Sequence, residues 1–381
     1  LHYGVQISRP NWGYRSDTGG SRTRWIIGGM LVLALGAIIA AYALSLFTSS
    51  FVVGLILSII AYALIGVGVG ASGTSLLALL ATATHPRRRP AAATITWLMM
   101  IFGIAVTAGV TGAMMDPFSV ARLMIIVLVV ARSAVALTSL VVMGIERHIS
   151  PAPPTESQAS FIEGLKEVWS ETAARNFTIF VFLSMTAYFM QELILEPYAG
   201  LVFNFTPGQS TQLSGAQNGG VFMGMLTVGI LATGFQVGNL RSWVVLGCAG
   251  SAIALLTIAM MGQTGVPLLV PATVGLGFFN GVFAVAAIGS MMQLAGEGKE
   301  RREGTRMGLW GAAQAIAAGF GGLMGAAGVD LARSYLPDAT AFGTVFIFEA
   351  FLFLVAMGMA FGVMPRADAP RVQGTAIAGE W

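Results

Sequence analysis

Two carboxylates, a carboxamide and a proline sit together inside an apolar run, Gln191-Glu192-Leu193-Ile194-Leu195-Glu196-Pro197-Tyr198-Ala199-Gly200. An ionisable group at membrane depth costs several kcal/mol unless it is paired or faces a cavity, so such groups mark ion or ligand paths. Pro197 has no N–H to offer the carbonyl four residues back, which leaves an acceptor free at Leu193. Glu192 and Glu196 can thus serve a polar ligand, carry a proton, or stabilise the kink through hydrogen bonds within the protein.

The elements that hold this segment are set by composition. The chain has 381 residues, 56% of them apolar and 10% charged, against about a quarter charged in soluble domains. Apolar runs of twenty or more recur, and about 20 helical residues cross a hydrocarbon layer of ~30 Å. The fold class is therefore an all-α polytopic membrane protein, with ten spans predicted near 25–46, 54–81, 91–114, 121–142, 177–203, 219–237, 243–261, 267–294, 307–327 and 341–363. Glycines inside the spans, such as Gly66, Gly68 and Gly70 or Gly319, Gly321 and Gly322, let helix backbones approach closely. A single cysteine, Cys248, excludes a disulfide framework and a thiolate metal cluster.

Charge placement sets orientation. Apart from Arg122, Arg132 and Arg333, the Lys and Arg residues fall in alternate loops and the C-terminal tail, which the positive-inside rule assigns to the cytoplasm. Arg24-Trp25 is echoed by Arg241-Ser242-Trp243, and Arg87 to Arg89 by the Lys299 to Arg306 cluster, at an offset near 217. A parallel repeat of that size, joined by a polar cytoplasmic loop, predicts the major facilitator architecture of two six-helix halves. Ten spans fall two short of that, and the opening Leu1 to Ile7 reads as the end of a helix, so two further spans are expected ahead of it. The division expected is a half-bundle at 1–142, a linker at 143–175, a six-helix bundle at 176–364 and a tail at 365–381. Within the linker, Ser160 and Glu163 form a capping box ahead of an amphipathic stretch, Phe161 to Trp169. That stretch is expected as a short interfacial helix.

Gly13, Asp17, Arg22 and Arg24 follow the facilitator loop pattern of glycine, acid and basic residues before a span. The pattern suits a gate or scaffold clamp rather than catalysis. Arg132 and Glu349 lie one repeat apart, at equivalent depths of the two halves. They can snorkel, pair with a neighbouring helix, or mark contacts with partner membrane proteins or pigments.

Gln191 to Gly200, together with Gly308-Leu309-Trp310-Gly311-Ala312-Ala313-Gln314-Ala315-Ile316-Ala317-Ala318-Gly319 and Asp330, closely resembles the PucC/LhaA family. These are facilitator-fold proteins of phototrophic bacteria, and the opening residues look most like the branch encoded beside bacteriochlorophyll synthase genes. The resemblance implies an assembly factor for light-harvesting complexes that binds or delivers bacteriochlorophyll in the intracytoplasmic photosynthetic membrane. It also implies light-harvesting or reaction-centre subunits, or pigment-synthesis enzymes, as partners. The pigment's Mg takes one axial ligand, a nitrogen or an oxygen. His2, His85 and His148 are the only histidines, all near cytoplasmic span ends. A midplane ligand would thus come from Gln191, Glu192, Asn280, Gln314, a backbone carbonyl or a water, with Glu196, Pro197, Tyr198 and Trp310 completing the site. The competing function is a proton-coupled transporter of a small solute with Glu192 or Glu196 as carrier. A synthase fits poorly. Prenyl transfer needs clustered aspartates to hold Mg and diphosphate, and Asp17, Asp116, Asp330, Asp338 and Asp368 are isolated.

Overall fold

In lipid every backbone polar group must be satisfied internally, so apolar runs of this length fold as helices. The computed structural model describes residues 21–83, 89–145, 169–235, 237–296 and 303–364. Gly13, Asp17, the three histidines, the capping box at Ser160 and the tail lie outside the described residues. The helices are α1 Arg22–Leu46, α2 Phe51–Ala83, α3 Arg89–Met115, α4 Val120–Val142, α5 Thr172–Met190, α6 Leu195–Phe203, α7 Pro207–Val228, α8 Leu240–Thr264, α9 Leu269–Gly296, α10 Glu303–Arg333 and α11 Asp338–Val363. Among the described residues eight of them are long and apolar enough to cross a membrane, and α5 with α6, bent by 41° at the break between them, make nine if the pair is one broken span.

The helix ends follow from local chemistry. Ser119 accepts from the Arg122 N–H to open α4, and Asn239 accepts from the Ser242 N–H to open α8. Thr206 and Gln209 form a reciprocal capping box with Pro207 in the first turn of α7. At the far end, Gly265 takes the left-handed conformation (φ 70°) that closes α8. Arg333 meets Asp338 at 2.7 Å across the turn between α10 and α11.

The predicted span at 219–237 is part of a helix that starts twelve residues earlier. α7 is long enough to cross, at about 33 Å for its 22 residues. Its first half is too rich in amides and hydroxyls to read as a span: Ser214, Gln217 and Asn218 face a cavity, while Gln209 and Gln212 are exposed. A π-helical segment, Gly229–Gly234, continues it.

The repeat is present in the element order. Arg22, Phe51 and Val120 open α1, α2 and α4, and Leu240, Leu269 and Asp338, each 218 positions on, open α8, α9 and α11. Packing repeats with it, since α1 runs against α2 and α4 as α8 runs against α9 and α11. In addition α5 lies along α10, α7 along α9, and α3 along α7. The apolar stretches of α1 to α4 are 17–28% buried and those of α8 to α11 33–56%, so most of the buried core belongs to the later helices. There Phe177, Phe180, Phe283, Phe353 and Trp310 interlock edge to face or tilted.

Both edges of α7 make helix contacts through glycine. On α7, Cβ atoms at Gly220 and Gly224 would collide with the carbonyls of Val274 and Phe278 on α9. In return, Cβ atoms at Gly277 and Gly281 would collide with those of Gln217 and Val221. On the other edge of α7, a Cβ at Gly215 would lie 2.8 Å from the Gly109 nitrogen of α3, and one at Gly208 2.7 Å from the Gly112 oxygen. The Thr206 hydroxyl donates to Asp116 at 2.9 Å and ties the two helix ends together.

Candidate functional site

The broken span forms the site. α5 runs to Met190, a single 3-10 turn carries Gln191–Leu193, and α6 begins at Leu195. Pro197 falls in the first turn of α6, where its missing N–H matters least to α6, and Leu193 is left without the usual donor four residues on. The break turns Gln191, Glu192 and Glu196 towards a cavity of about 190 Å³ shared with Ile104 of α3, Tyr188 of α5, and Ser214, Gln217, Asn218 and Val221 of α7. Gln191 is 1% exposed and its Oε1 has no hydrogen-bond partner. A buried acceptor left this way costs about 1–3 kcal/mol relative to a bonded one, which makes it a candidate contact for a ligand or water. Glu192 and Glu196 are open, and Glu192 already has a partner within the protein. The Asn218 amide donates to the Ser214 carbonyl at 3.0 Å, leaving its own oxygen free to accept.

The remaining predicted residues lie elsewhere. Tyr198 points the opposite way, fully buried, with its hydroxyl donating to the Ile258 carbonyl at 2.7 Å and Phe203, Phe342 and Phe346 around its ring. Asn280 is buried between helices, where its Oδ1 accepts from the Ser251 hydroxyl at 2.8 Å. Trp310 is 1% exposed and meets Phe177 edge-on at 4.8 Å. Gln314 is half-buried on α10, and neither it nor Pro197 lines the cavity. Arg22 and Arg24 sit in the first turn of α1. Arg132 is exposed on α4, whereas Glu349 is sealed inside α11 at 0% exposure and presents nothing to a partner outside the bundle. Tyr188, Ser214, Gln217 and Asn218 line the cavity beyond the residues expected from sequence. Three of them carry a legible sign, because Ser214, Gln217 and Asn218 stand at helical spacing on one face.

The Tyr198→Phe variant separates scaffold from site. It strips the donor from a buried carbonyl, so the apparent unfolding temperature is expected to fall by the equivalent of about 1 kcal/mol. Ligand retention is expected to be unchanged, since the ring faces away from the cavity. A loss of ligand with unchanged thermal stability would place Tyr198 in the site instead.

The family model described as PUCC protein matches residues 1–367. The chain belongs to the PUCC protein family. Its relatives include the "Bacteriochlorophyll synthase 44.5 kDa chain" of Rhodobacter capsulatus, 64% identical over 100% of this chain and 89% of that protein. "Protein PucC" of Cereibacter sphaeroides is 28% identical over 90% of this chain and 78% of its own length. "Protein PucC" of Rhodobacter capsulatus is 26% identical over 93% and 80%. Family membership and these names tie the chain to the bacteriochlorophyll and photosynthetic apparatus, and its spans place it in a lipid membrane.

Proposed function

We propose that this PUCC family member binds bacteriochlorophyll and hands it over during assembly of light-harvesting complexes, as a non-enzymatic, multi-pass protein of the photosynthetic membrane with its basic loops cytoplasmic. The observation that carries the reading is Gln191 Oε1, a buried oxygen without a partner at the break of a membrane span. Among the four side chains expected as Mg ligands, neither Asn280, whose oxygen accepts from Ser251, nor Gln314 lines the cavity. Gln191 and Glu192 remain. When bound, the pigment would supply a Lewis-acidic Mg that an oxygen of Gln191 or Glu192 would hold.

Size constrains the arrangement. About 190 Å³ is below the ~300–1,000 Å³ of pockets that enclose a whole ligand. The cavity would admit one polar edge of the pigment, with Gln191 and Glu192 holding it, and contact of Gln191 with the central Mg would require the break to open. Oxygen ligation of this kind suits transfer better than storage. The major facilitator reading is supported by the 218-residue repeat of helix starts, and Arg132, exposed at membrane depth, is our candidate contact for light-harvesting or reaction-centre subunits or pigment-synthesis enzymes.

The test is pigment content after purification in mild detergent. Gln191→Leu and Glu192→Gln are each expected to lower the bound red-absorbing pigment, roughly tenfold for the loss of an axial ligand. Undiminished pigment in both variants would remove these ligands. Absence of pigment from the wild type, with proton-coupled solute uptake into liposomes, would favour a transporter that uses Glu192 or Glu196 as its carrier.

A further inference from the structure

The same cavity has a second property that does not depend on pigment. Its lining supplies oxygen from every side: Glu192, Glu196, the Gln191 amide, the Ser214 hydroxyl and the amides of Gln217 and Asn218, with no Lys, Arg or His among the described residues around it. Hard oxygen donors of mixed neutral and anionic type select hard cations. The break adds to this. The C-terminal end of α5 carries the negative end of its macrodipole into the region, and Pro197 deprives the Leu193 carbonyl of its donor. Unwound carbonyls at interrupted spans are where membrane proteins coordinate Na+. The independent sign of a ligand is Gln191, 99% buried, lining the cavity, with its Oε1 unsatisfied.

We propose that this cavity is a binding site for a monovalent metal cation of the Na+ class, held by Gln191 Oε1, Glu196 and oxygens of α7. Among the described residues two carboxylates, Glu192 and Glu196, line the cavity, and the first also interacts within the protein. Among the described residues no group of three or more His, Cys, Asp or Glu could hold a metal ion, so the richer carboxylate set that a divalent ion prefers is missing. Because the donors come from α6, the turn before it and α7, a bound cation would draw the broken span against α7.

The experiment uses full-length, pigment-free protein in detergent and follows thermal unfolding and radioactive Na+ binding as NaCl replaces choline chloride at constant ionic strength. A saturable, Na+-specific stabilisation is expected in the wild type. Glu196→Gln and Gln191→Leu are expected to weaken it roughly tenfold or more, while Gln191→Glu, which keeps an acceptor oxygen, retains it and controls for folding. Equal responses to Na+ and choline overturn the proposal. So do Na+ binding that survives Glu196→Gln, a response to pH alone, or Ca2+ that saturates the site at lower concentration than Na+. Since no pigment is present, failure here leaves the pigment reading standing, and failure of pigment binding leaves this one standing.

Discussion

Gly224→Leu is expected to abolish recovery of monodisperse protein, with Gly224→Ala intermediate. Even a single methyl at Gly224 would enter the carbonyl of Phe278. A backbone carbonyl held in a helix ladder cannot rotate aside as a side chain can, so the two helices must separate. Overpacking costs about 1–3 kcal/mol where a core can relax, and a leucine here exceeds that range because three further contacts of the same kind share the interface. Separation would also open the apolar core behind α9, which holds Phe283 and its neighbours. Gly219, with open space around it, is the control. Gly219→Ala is expected to be neutral or to raise stability by up to about 1 kcal/mol through helix propensity. Size-exclusion profiles and detergent thermal unfolding of the three variants check both statements. Equal behaviour of the Gly224 and Gly219 variants would mean that α7 and α9 are not packed this closely.

The second large effect runs the other way. Glu349→Leu is expected to stabilise the protein. Glu349 is wholly buried on α11, and neither carboxyl oxygen has a hydrogen-bond partner. Around it on the same helix, Val345, Phe346, Ala350 and Phe353 belong to the apolar core. Removing an unsatisfied buried polar group saves roughly 1–3 kcal/mol, and leucine fills much of the space vacated. Glu349→Gln keeps an unpaired polar group and is expected to gain little. A rise in apparent unfolding temperature for leucine but not glutamine would bear this out. A fall for leucine would reveal a bond that the acid holds. If stability rises while pigment retention drops, the acid serves function at the expense of stability.

What the sequence revealed depended on the signal. Membrane helices announce themselves by apolar length, so the spans at α1 to α4 and α8 to α11 were legible, and the Arg-Trp echoes located the repeat to within a residue of its 218-residue spacing. α7 was legible only in its apolar second half. Its start was written in a different code, the Thr206-Pro207-Gly208-Gln209 cap, and its polar face looked like loop because an inward-facing membrane helix need not be apolar on every side. The broken span looks from sequence like one helix with a kink, and Pro197 marks the place of the break. Chemical type alone could not tell which way neighbouring side chains turn. Glu196 faces the cavity and Tyr198, two residues on, faces the core, a distinction that helix rotation fixes and composition does not. Depth was readable for Arg132 and Glu349, but their opposite exposure was not, since that requires knowing which helices pack on each.

α7 carries glycine on both edges, one set against α9 and the other against α3. Interlocked side chains resist sliding because each knob must climb out of its hole. A helix edge without knobs has no such ratchet. Along the α3 edge the smooth stretch is short, with the Asp116 to Thr206 hydrogen bond at one end and, at the other, Ile101 against Val221 and Met225 and Phe102 against Phe222 at 5.5 Å, so α7 is held at both ends. Shear between α3 and α7 must therefore undo one end or the other, and either would change the width of the cavity walled by Ile104 on one side and Gln191 and Glu196 on the other.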